Sequence, residues 1–144
     1  MRLLVPLDLS PATPATLEAA TRLARATGAS LWLLHVAEPD PAFVGWQAGS
    51  DSVRGQVARA MRREHRELQA HADALRAAGL DATALLLQGA VAQTILAEAD
   101  RLRVETIVMA SHGHGAMFDL LVGSICQAVL RGTEVPVLLV PVRG

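Results

Sequence analysis

The sequence predicts a doubly wound α/β fold, a five-stranded parallel sheet with helices on both faces. Two observations carry that expectation. Five short runs are almost continuously apolar, the pattern of strands buried on both faces. They alternate with stretches whose apolar residues recur at helical spacing. Such alternation folds as parallel strands joined by right-handed crossovers. At 144 residues the chain can bury one core, and 1–144 reads as a single domain.

Each element follows in order. "RLLVPL" (2–7) is the first strand, and "ATPAT" opens the first helix, with Thr13 as N-cap and Pro14 at the first helical position. Gly28 closes that helix as the residue that can turn left-handed. "SLWLLHV" (30–36) is the second strand. A connection of 16 residues, "AEPDPAFVGWQAGSDS", then exceeds the usual length, so 37–53 reads either as a flap or as a flexible, disordered loop. Phe43 and Trp46 favour a flap that folds onto something. The second helix runs from about Arg54 to Ala78, with Val57, Met61, Leu68, Ala72 and Leu75 on one face and Gly79 at its end. "ATALLL" (82–87) is the third strand, 91–102 the third helix and "ETIVMA" (105–110) the fourth strand. A loop holding Gly113 and Gly115 leads to a fourth helix at Gly123 to Arg131, and "VPVLLVPV" (135–142) is the last strand.

Composition excludes several classes. No run approaches the roughly 18 apolar residues of a membrane span. Asp8 interrupts the opening apolar run too early for a secretory signal, so a cytoplasmic location is expected. A net charge of −1 gives no field to recruit nucleic acid. Cys126 is the single cysteine, which rules out an internal disulfide. All 13 basic residues are arginine. Without a lysine, a Walker-A phosphate loop is impossible.

Ligands of doubly wound sheets sit beyond the carboxyl ends of the strands, where neighbouring crossovers diverge. If the first strand is central and the fourth lies beside it, as in the order 3-2-1-4-5, that crevice falls between "PLDLS" and "MASHG". Asp8 then faces a glycine-rich loop that runs into a helix N-terminus at Gly123 and Ser124. Free N–H groups at a helix start bind anions, and glycine lets a phosphate come close. A carboxylate for ribose hydroxyls and amides for phosphate together make a nucleotide site.

The spacing here resembles the universal stress protein family. Its nucleotide-binding members carry G-x-x-G, nine residues, then G-[ST]. In this chain "ASHG" supplies Ala110 and Gly113, residues 114–122 follow, and "GS" supplies Gly123 and Ser124. Asp8 and Ser10 match the end of the family's first strand, and His35 and Val36 match the end of its second. The resemblance implies a Rossmann-like sheet and a site built from Pro6, Asp8, Val36, Met109, Ala110, His112, Gly113, Gly123, Ser124 and Ile125. Asp8 would contact ribose, the Val36 backbone adenine, and Gly113, Gly123 and Ser124 the phosphates. The ligand is expected to be ATP, or ADP or AMP, with any Mg2+ carried by the nucleotide.

Three departures bear on affinity. Ala110 replaces a glycine, His114 stands where the family is often basic, and Asp119 replaces a cation. They predict weaker binding, or a shift toward AMP or ADP. Against each functional reading stands a plainer one. Glycines also make tight turns, Asp8 also caps a turn, and His35 reads as a satisfied core histidine. His112 and His114 lack a third ligand for a metal. Arg59, Arg62, Arg63 and Arg66 interleave with Glu64 and Glu67 as a solvated, paired face, with Arg63 and Glu67 four apart. Cys126 reads as a small buried hydrophobe.

No nucleophile–base pair is visible, so the expected function is a stress-adaptation regulator that binds adenine nucleotide, with ATP hydrolysis at most slow and incidental. A nucleotide-free interaction module is the alternative. An adenylating enzyme would need a glycine-rich loop after the first strand, and "LDLSPAT" has no glycine. The apolar last strand is expected to pair with its copy in a homodimer. An unidentified protein partner is also expected.

Overall fold

Among the described residues nine elements alternate: β1 (Arg2–Pro6), α1 (Thr13–Thr27), β2 (Ser30–Ala37), α2 (Asp51–Ala77), β3 (Ala82–Gln88), α3 (Val91–Leu102), β4 (Thr106–Ala110), α4 (Ser124–Gly132) and β5 (Val137–Val140). The computed structural model describes residues 1–39, 51–112 and 122–142. Phe43 and Trp46 of the expected flap lie outside these, as do Gly113, His114, Gly115 and Asp119. The strands form one parallel sheet in the predicted order, β3-β2-β1-β4-β5.

Side chains that alternate along a strand feed two cores, one per face. Leu3 and Val5 of β1, with Leu31 and Leu33 of β2, pack under Ala20 and Ala24 of α1 and Leu68 and Ala72 of α2. Leu4, Leu34, Ile107 and Met109 point the other way, against Ile95 and Ala99 of α3 and Cys126 and Val129 of α4. Both faces are buried, which explains why the strands read as continuous apolar runs. Each fully buried Leu or Ile contributes about 1.5–3 kcal/mol. Because α1, which follows β1, and α4, which follows β4, pack on opposite faces of the sheet, a crevice opens where the carboxyl ends of β1 and β4 lie side by side.

Several boundaries differ from the sequence reading. Ala12, not Thr13, is the N-cap of α1, and no side chain bonds the first-turn amides. Ser10 takes the turn instead: its hydroxyl accepts the Ala12 N–H at 3.2 Å and its carbonyl the Thr13 N–H at 3.0 Å. Gly28 closes α1 as predicted, with φ 69 and its N–H on the Ala24 carbonyl. The second helix starts at Asp51, three residues before the expected Arg54, which shortens the preceding connection. β5 is shorter than 135–142, since Pro136 and Pro141 flank it and neither can donate to a ladder. No helix among the described residues is long and apolar enough to cross a membrane.

Candidate functional site

A cavity of about 810 Å³ opens at the carboxyl ends of β1, β2 and β4 and is closed on one side by the start of α4. Pro6, Asp8, Val36, Met109, Ala110, His112, Gly123, Ser124 and Ile125 all line it. Gly113 lies outside the described residues.

The β1 rim is a tied turn. The Leu7 N–H donates to the Leu34 carbonyl at 2.8 Å, carrying the pairing one residue past β1. Asp8 Oδ1 then accepts the Ser10 N–H at 3.1 Å. Between them Leu9 sits at φ 56, a left-handed conformation that costs a residue with a Cβ roughly 1–2 kcal/mol. Packing of Leu9 on the α1/α2 core and the bonds on either side hold it there.

His35 braces that turn from β2. Its Nδ1 lies 2.7 Å from the Leu7 carbonyl, which can only accept, so Nδ1 carries the hydrogen. Nε2 lies 3.2 Å from Glu64 Oε2 on α2. The ring joins β1, β2 and α2 at the edge of the cavity. His35 is the satisfied core histidine the sequence suggests, and it also lines the cavity.

The opposite rim is gathered by Ser111. Its N–H donates to the Val140 carbonyl at 2.9 Å, and its carbonyl accepts the Gly123 N–H at 2.8 Å. Its hydroxyl accepts the Val142 N–H at 3.2 Å and lies 3.1 Å from His112 Nδ1. The ends of β4 and β5 and the start of α4 thus meet at one buried serine. α4 begins with Gly123 as N-cap, no capping side chain and no acidic residue in its first turn. Its first amides, those of Ser124, Ile125 and Cys126, have no carbonyl four residues back within the helix to bond.

Gly123 itself has φ −71 and ψ 165, angles any residue adopts. A Cβ built there would stand 3.4 Å from the Ser111 carbonyl oxygen and 3.7 Å from His112 Cα, ordinary contacts. Among the described residues, neither the backbone angles nor a packing contact demands glycine at this position. Between the rims, Leu34, Val36, Val91, Ile95 and Met109 form an apolar floor. Burial pushes the Cys126 thiol up from its usual range, as expected of a buried hydrophobe.

Glu64 and Ser111 line the cavity and were not singled out by sequence reasoning. A signal for Glu64 existed: it falls on the same helical stripe as Val57, Met61 and Leu68, at a spacing of three or four, so it faces inward. The expected Arg63–Glu67 pair does not form, and both side chains are exposed. Among the described residues no three His, Cys, Asp or Glu side chains gather as a metal site.

The model of the universal stress protein family matches residues 1–141. The chain belongs to that family. A Thermus aquaticus member described as "Universal stress protein in QAH/OAS sulfhydrylase 3'region" is 36% identical over 118 residues, covering 81% of each chain. Among solved structures, the hypothetical protein MJ0577 superposes with a TM-score of 0.85 at 21% identity, over 99% of this chain and 96% of the other. A universal stress protein in complex with cAMP gives 0.69 at 20% identity, over 99% and 98%. An Archaeoglobus fulgidus universal stress protein in complex with dAMP gives 0.65 at 19% identity, over 97% of both chains. At such identities the structural likeness is one of fold, and it spans the whole universal stress protein sheet.

Proposed function

We propose that this universal stress protein is a regulatory protein that binds an adenine nucleotide in the β1/β4 cavity. Gly123 is the observation that carries the reading. It stands where no backbone angle or contact among the described residues requires glycine, beside amides without a side-chain cap that a phosphate can use. The cAMP and dAMP complexes of family members supply the ligand class. In this reading Asp8 takes ribose hydroxyls, the Val36 backbone meets adenine, and Gly113, Gly123 and Ser124 hold phosphate. Pro6, Met109, Ala110, His112 and Ile125 complete the walls, and any Mg2+ arrives on the nucleotide. The protein is a binder rather than an enzyme, and acts in the cytoplasm as one domain.

Mass spectrometry of ligand released from freshly purified, denatured protein tests this reading, together with titration of the emptied protein. An adenine nucleotide in the extract, and saturable rebinding, are expected. No binding of ATP, ADP or AMP at millimolar concentration with magnesium would end it. The alternative, a nucleotide-free interaction module, draws on Asp8, whose Oδ1 is already engaged by the Ser10 N–H.

We also propose a homodimer through β5. Leu138 on this edge strand is 40% exposed, and a groove beside it is walled by Leu23 and Pro141. Two-fold pairing would cover both edges. A folded monomer at micromolar concentration in light scattering would contradict it.

A further inference from the structure

We infer that the cavity selects adenine nucleotides bearing one phosphate and disfavours the triphosphate. The inference rests on the nucleotide-binding reading above and concerns the charge the site can hold. Among the described residues that line the cavity, none is arginine or lysine. Its described carboxylates are Asp8, Glu38 and Glu64, against the imidazoles of His35 and His112. His35 is already committed to the Leu7 carbonyl and Glu64.

The amino-acid sequence of the chain points the same way. It has no lysine at all, and the sequences 40–50 and 113–121, which follow β2 and β4, contain no arginine. Their ionisable residues are Asp40, His114 and Asp119.

What the site offers an anion is confined to one place. The amide of Gly123 is spent on the Ser111 carbonyl, which leaves those of Ser124, Ile125 and Cys126, with the Ser124 hydroxyl beside them. The partial charge of a helix N-terminus, about half a unit, adds to these. That set matches the oxygens of a single phosphate group. A second and a third phosphate would add negative charge to a cavity that already holds three carboxylates, with no arginine or lysine among its described lining residues to meet them. Adenosine carrying one phosphate, as a 5′-monoester or a cyclic diester, is the chemistry that fits.

Calorimetric titration of the full chain, freed of ligand, with AMP, cyclic AMP and ATP in EDTA tests the inference. AMP or cyclic AMP should bind at least about tenfold more tightly than ATP, and excess magnesium should narrow that gap by screening the triphosphate. The two monophosphates separate dianionic from monoanionic recognition, and either one ahead of ATP supports the inference. ATP binding as tightly as both in EDTA would overturn the preference and leave nucleotide binding intact. Binding of none of the three would overturn both readings. His112→Arg places a cation on the lining and should raise ATP affinity about tenfold more than AMP affinity. Equal changes for the two would overturn charge as the cause. Arg143→Ala should leave the ATP-to-AMP ratio unchanged, and a marked shift would show that a cation already serves the site.

Discussion

The two rims of the cavity are built on opposite principles. On the β1 side the turn meets many of its own needs: the Asp8 carboxylate takes the Ser10 N–H, the Ser10 hydroxyl takes the Ala12 N–H, and His35 takes the Leu7 carbonyl. On the α4 side Ser111 fixes the approach, but the first turn of the helix has no capping side chain. A rim that satisfies itself holds its shape without ligand, whereas a rim with spare donors gains from one. The strained Leu9 belongs on the first rim, where neighbouring bonds can hold it.

The largest test of this contrast is His35→Ala. It removes a buried ring and leaves the Leu7 carbonyl without its partner, so denaturant unfolding should show a loss of about 2–3 kcal/mol. A loss within ~0.5 kcal/mol of wild type would mean the β1 rim does not depend on that brace.

Asp8 separates turn from site. Asp8→Ala should cost about 1 kcal/mol in stability through the Ser10 N–H, and weaken nucleotide binding as well. Asp8→Asn keeps an acceptor for that N–H, so it should restore most of the stability and less of the affinity. Equal recovery of both would make Asp8 a turn residue alone.

The smallest effect concerns Cys126. Burial raises its thiol, so the folded protein keeps a proton that the unfolded chain releases. Stability from this group is intact below the ordinary thiol value of about 8.5 and falls as pH rises toward the raised folded value. Cys126→Ala should flatten that alkaline slope in thermal melts between about pH 8.5 and 10. An unchanged slope would assign it to other groups.

Strands, most helices and the cavity's location were legible because parallel strands buried on both faces leave unbroken apolar runs, and sites gather at their ends. What escaped the sequence depends on long-range pairing. Glu64 looks like one charge among many in a basic stretch, and only β2 passing beneath α2 gives it His35 as a partner. Ser111 is unremarkable as a letter, yet three elements converge on it. Thr13 has the composition of a cap, but the turn set by Asp8 and Ser10 moves the helix start by one residue.

The central claim is that Gly123 serves a ligand rather than the fold. The most direct measurement is AMP affinity of Gly123→Val by calorimetry, set beside its unfolding free energy. Charge-assisted bonds to phosphate are worth on the order of 1.5–3 kcal/mol each. Affinity should therefore fall at least about tenfold per lost contact, while stability drops by only ~1 kcal/mol, since the backbone angles suit any residue. A variant that binds AMP as tightly as wild type, or one that loses far more stability than affinity, would contradict it.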